Sequence, residues 1–95
     1  MRIASIGKIG IYMTKHASER AAQRKVDVAK IAACVIGLGS DKIAELKGED
    51  IIIHAETWKI SVVATVKKNA VKIVTVVPKA YTFVSDVDKV RISLA

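Results

Sequence analysis

Ile60-Ser61-Val62-Val63-Ala64-Thr65-Val66-Lys67-Lys68-Asn69-Ala70-Val71-Lys72-Ile73-Val74-Thr75-Val76-Val77 is the stretch whose reading decides the fold. Its residues alternate with a period of two on either side of Lys68-Asn69, the pattern of two antiparallel strands joined by a tight turn. A two-residue turn at Lys68 and Asn69 pairs Val66 with Val71, Ala64 with Ile73, Val62 with Thr75 and Ile60 with Val77 on one apolar face. That face is the expected core. The opposite face then carries Ser61, Val63, Thr65 and Lys72. Upstream, Ile51, Ile53 and Ala55 alternate with Ile52, His54 and Glu56, so a third strand precedes these two. A turn near Glu56 and Thr57 sets His54 opposite Lys59 and puts Trp58 on the core face.

Toward the N-terminus the period changes. Thr14-Lys15-His16-Ala17-Ser18-Glu19-Arg20-Ala21-Ala22-Gln23-Arg24 reads as a helix that aligns His16, Arg20 and Arg24 on one stripe and Met13, Ala17 and Ala21 on the next. Thr14 is the expected N-cap, which leaves the free amides of the first turn beside Lys15 and His16 as an anion site. The same stripe also describes an ordinary solvated helix face. Asp27 caps a second helix through Val28–Ile36, with Val26 stapling against Ile31, and Gly37 or Gly39 ends it. This helix is apolar nearly all round, so it is expected to be buried, with Cys34 as a core residue.

The flanks are less defined. Residues 2–13 place Ile3, Ile6, Ile9 and Ile11 around Gly7 and Gly10, an extended lead-in with a short strand around Lys8–Met13. Ser40–Glu49 reads equally as loop, short helical turn or irregular strand. After Pro78, Ala80–Val84 and Lys89–Leu94 add one more hairpin or edge strand around Ser85–Asp88.

A chain of 95 residues forms one domain. A domain of this size buries about 60–65% of the surface its unfolded chain exposes. The expected architecture is therefore α+β: two N-terminal helices packed on one face of a four- to five-stranded antiparallel sheet. One cysteine excludes an internal disulfide framework and a Cys-based metal site. No metal or other cofactor is expected. No apolar run approaches a membrane span and Met1–Gly10 has no signal-peptide core, so the expectation is a cytoplasmic protein with no membrane partner.

The net charge is +7, gathered in residues 1–25 (Arg2, Lys8, Lys15, Arg20, Arg24 and Lys25) and 57–79 (Lys59, Lys67, Lys68, Lys72 and Lys79) around an acidic middle. Two basic blocks favour a polyanion, nucleic acid first and an acidic protein second. Two histidines among these cations point to RNA cleavage through the 2′-oxygen: His16 as the base, with Lys15 and Arg20 clamping the phosphate. Arg24, Lys25, Lys59, Lys72 and His54 are the further candidates for contacts along a nucleic acid. For His54 the plainer role is a strand residue on a half-buried face.

Lys15-His16-Ala17-Ser18-Glu19-Arg20-Ala21-Ala22-Gln23-Arg24, followed by a capped helix and a three-strand meander ending Thr75-Val76-Val77-Pro78, resembles small bacterial and phage domains whose first helix reads His-Ala-x-x-Arg-x-x-x-Arg. Those look like members of the RelE, barnase and colicin D nuclease superfamily. The resemblance covers roughly residues 12–78 and implies a ribonuclease toxin with His16, Lys15 and Arg20 catalytic, Arg24 assisting, and an antitoxin as protein partner. Lys25 stands where those domains carry a glycine, and Arg91 or Tyr81 would fill the C-terminal catalytic place. Two rival classes remain: a non-catalytic basic module that grips an acidic protein or a nucleic-acid backbone, such as a phage-encoded inhibitor, and a structural subunit whose sheet edge forms a homodimer.

Overall fold

Alternating apolar residues build the sheet, and the computed structural model, which describes residues 2–77 and 90–94, shows six strands in it. In chain order these are β1 (Arg2–Ile6), β2 (Ile9–Met13), β3 (Asp50–Ala55), β4 (Ile60–Lys67), β5 (Ala70–Val77) and β6 (Val90–Leu94). Their spatial order is β1-β2-β5-β4-β3-β6. Three helices lie between β2 and β3: α1 (Lys15–Gln23), α2 (Val28–Ile36) and α3 (Ser40–Glu45).

This corrects the expectation of two helices on a four- to five-stranded antiparallel sheet: the sheet is mixed, with β2 parallel to β5 and β6 parallel to β3. The physical reason lies in the N-terminal segment. Gly7, with φ 57°, begins a two-residue turn between Ile6 and Ile9 and folds the lead-in into a β1–β2 hairpin. Ile9, Ile11 and Met13 then present an apolar face that lies beside β5 in register, Ile11 against Val71 and Met13 against Ile73. The third helix occupies the stretch that reads as loop, helix or strand; Gly39, at φ 82°, turns the chain into it. Pro78, Ala80–Val84 and Ser85–Asp88 lie outside the described residues, and β6 supplies the edge strand.

Both longer helices start where their caps predict. Thr14 Oγ1 accepts from the Ala17 amide at 3.0 Å, and Asp27 Oδ1 accepts from the Ala29 amide at 2.9 Å. Their buried faces, Ala17 and Ala21 on α1 and Ile31, Cys34 and Val35 on α2, join Ile43 and Leu46 and the inward residues of β2 to β5 in one core. Ile11, Ile31, Ile51, Ile53 and Ile73 are fully buried, each worth about 1.5–3 kcal/mol of apolar transfer. Cys34 is a core residue as expected, at 0% exposure.

Register departs from the simple pattern twice. Beside the turn, Val66 pairs with Val71 and Ala64 with Ile73 as anticipated, but a bulge at Val74 then pairs Val63 with Thr75 and Val62 with Val76. Val76 therefore faces the core, and Thr75 and Val77 move to the second face. The β3–β4 connection has four residues, Glu56–Lys59, so His54 lies opposite Ser61 and not Lys59. A shift of two leaves every side chain on its predicted face, but it takes Trp58 off the core face into an exposed loop, 37% accessible.

Candidate nucleic-acid interface

Arg24, Lys25 and Lys59 converge on one hollow, although Lys59 lies far from the other two in sequence. The end of α1 brings the first two. Arg24 is the C-cap, and Lys25 follows in a left-handed conformation with φ 55°. The Lys25 amide donates to Ala22 O at 3.3 Å and the Val26 amide to Ala21 O at 2.9 Å, the paired bonds of a Schellman ending. Glycine is the usual residue at that left-handed position because it has no Cβ to collide with the backbone. Here a lysine occupies it.

Lys59 arrives by the same device. It closes the β3–β4 loop with φ 51°, its amide donating to Glu56 O at 3.3 Å, and this turn displays Trp58. Arg24, Lys25, Lys30, Asp27, Trp58 and Lys59 surround a hollow of about 220 Å³. Asp27 caps α2 and keeps its negative charge while doing so, and the Lys42–Glu45 ion pair, at 3.6 Å, lies elsewhere on α3. With four cations to one carboxylate, the hollow is cationic on balance. On its other flank Trp58 lines a second, apolar hollow of about 280 Å³ with Ala33, Gly37, Ala55 and Leu94. An indole with cations on one side and hydrocarbon on the other can stack a base while its phosphates meet the lysines.

Arg24 also ties the site to the sheet. Its Nη1 donates to the Val76 carbonyl at 2.6 Å, an anchor between the end of α1 and β5. The other residues of the predicted cationic stripe behave differently. Arg20 donates to Gln23 Oε1 on the helix surface at 3.4 Å, and His16 is exposed and lines neither Trp58 hollow. Lys15 lines a different depression together with Lys67 and Lys72. His16, Lys15 and Arg20 share none of these three hollows.

His54 is 7% exposed on the second face of the sheet, its Nδ1 3.0 Å from Ser61 Oγ and its Nε2 without a hydrogen-bond partner. Ser61 is fully buried. Lys30 and Trp58 line this hollow although neither stands among the site residues expected from the sequence. The available signal was the apolar pair Ala55 and Ile60, whose pairing requires a four-residue loop and so exposes Trp58. Among the described residues no three His, Cys, Asp or Glu side chains are grouped to hold a metal, and no helix is long and apolar enough to cross a membrane. Comparison with known proteins finds no matching family, no matching curated protein and no matching solved structure.

Proposed function

We propose that this chain is a non-catalytic module that binds single-stranded nucleic acid, RNA in the first instance, with Trp58 stacking a base and Arg24, Lys25, Lys30 and Lys59 holding the adjoining phosphates. The observation that carries it is the convergence of four cations on one exposed indole. Proteins that track single strands combine the same two features, a positive groove and an aromatic platform, and each stacked base is worth about 1–3 kcal/mol. A duplex keeps its bases stacked inside, so this site suits a strand whose bases are free.

The ribonuclease reading requires His16, Lys15 and Arg20 to meet one phosphate. The Trp58 site supports binding without that requirement.

The test is a titration of a labelled oligoribonucleotide at several salt concentrations. Binding should weaken steeply with salt, and each of Lys25→Ala, Lys30→Ala and Lys59→Ala should lower the slope of log K against log salt by about 0.7. Total RNA incubated with wild type or His16→Ala should remain intact in both. Cleavage with cyclic phosphate ends, abolished in His16→Ala, would restore the nuclease reading and overturn this one.

A further inference from the structure

A second depression lies on the other face of the sheet, away from Trp58, and its floor is set by residue size. Across β4, β5 and β2 the register aligns Lys67, Ala70 and Gly10 in one row and Thr65, Lys72 and Tyr12 in the next. Ala70 and Gly10 have almost no side chain, so the first row sinks. The Tyr12 ring lies over Gly10: a Cβ there would sit 2.6 Å from Tyr12 Cε2 and 2.9 Å from Cζ. The ring is 38% exposed, so it covers the glycine and still presents aromatic surface to solvent.

Three lysines line this depression of about 500 Å³: Lys67 and Lys72 from the sheet and Lys15 from the first residue of α1. Thr14 accepts from the Ala17 amide, and its hydroxyl also reaches the Val74 carbonyl at 3.4 Å. The Lys15 and His16 amides remain at the helix mouth, where a helix has no internal acceptor. Among the described residues no carboxylate lines the depression; the Asp50 carboxylate nearby accepts from the Thr65 hydroxyl at 2.8 Å. Its volume falls in the range of small-ligand sites, about 300–1,000 Å³.

We infer that this depression is a binding site for a nucleoside triphosphate, its base against Tyr12 and its phosphates among Lys15, Lys67 and Lys72. A lone phosphate would leave the aromatic surface unused, and an uncharged aromatic ligand would leave three cations unanswered. A polyphosphorylated nucleoside matches both. The inference stands apart from the RNA reading, because the two sites share no residue.

The experiment is calorimetric titration of the whole protein with ATP, inorganic tripolyphosphate and adenosine at low salt. ATP should bind saturably, at least about fivefold more tightly than tripolyphosphate, in keeping with one stacked base. Adenosine should bind more weakly than either. Lys67→Ala with Lys72→Ala should weaken ATP at least tenfold. Tyr12→Leu should bring ATP down to the level of tripolyphosphate, whereas Tyr12→Phe, which keeps the ring over Gly10, should retain ATP binding; melting curves of each variant establish that it is folded. Trp58→Phe should leave the ATP affinity unchanged, and a 5′-hydroxyl oligoribonucleotide should not displace ATP. Absence of saturable ATP binding, equal affinity for ATP and tripolyphosphate in wild type, or displacement by that oligoribonucleotide would overturn the inference.

Discussion

Lys25 and Lys59 both hold left-handed backbone conformations, at φ 55° and 51°, and both line the cationic hollow beside Trp58. A left-handed non-glycine residue costs roughly 1–2 kcal/mol. The two positions therefore oppose stability and binding, and Lys25→Gly and Lys59→Gly separate them. Each glycine variant should unfold at a higher urea midpoint than wild type, while its affinity for single-stranded RNA falls and its salt slope shrinks by about 0.7. A variant that loses stability and keeps its affinity would show that the lysines serve the turn and not a ligand.

Arg24 and Arg20 share a helix stripe but not a role. Arg24→Ala removes the hydrogen bond to the Val76 carbonyl, a charged donor to a partly buried acceptor, and should destabilise by about 1–3 kcal/mol as well as weaken RNA binding. Arg20→Ala gives up a 3.4 Å surface contact to Gln23 and should stay within about 0.5 kcal/mol of wild type. Chemical denaturation of the two variants side by side makes the comparison.

Ser61 supplies the 3.0 Å partner of His54 Nδ1 in a place where Nε2 has none. Ser61→Ala leaves both ring nitrogens buried without a partner and should cost about 1–3 kcal/mol. The double variant Ser61→Ala with His54→Met removes the stranded polar atoms together with their partner, so it should be less destabilised than the two single changes add up to. RNA affinity should be the same throughout, since neither residue lines a Trp58 hollow.

Cys34 reports on the core. Burial pushes its thiol up to about 11, offset in part by a backbone hydrogen bond, so the folded protein holds the proton that the unfolded chain releases nearer its ordinary value. Below that ordinary value the two states bind the proton equally and stability is unaffected. Between roughly pH 9 and 11 the unfolded state alone ionises, and stability should fall by up to about 1.4 kcal/mol per pH unit. In neutral buffer the thiol should resist alkylation until denaturant exposes it; rapid reaction of the native protein would contradict its place in the core.

The elements with strong local chemistry were legible in the sequence. Thr14 and Asp27 mark their helices by capping, and the β4–β5 turn and its first pairs follow from alternation. What alternation does not carry is who lies beside whom: β2 and β6 enter the sheet in parallel through contacts distant in sequence, and nothing in Ile9–Met13 itself names β5 as its neighbour. The bulge at Val74 is invisible for a similar reason, because Val74, Thr75, Val76 and Val77 are all acceptable on either face. The candidate site was half legible. Arg24, Lys25 and Lys59 stand out by charge, but only the four-residue loop and the left-handed Lys25 show that they meet around Trp58.

Trp58 is the only tryptophan, so its emission reports this site alone. Titrating a short oligoribonucleotide into the protein at low salt should quench that emission saturably, and added salt should reverse the quenching. Lys25→Ala and Lys59→Ala should shift the midpoint to higher RNA concentration. Emission that stays constant while the oligonucleotide demonstrably binds would place the contact elsewhere and contradict the proposed stacking site.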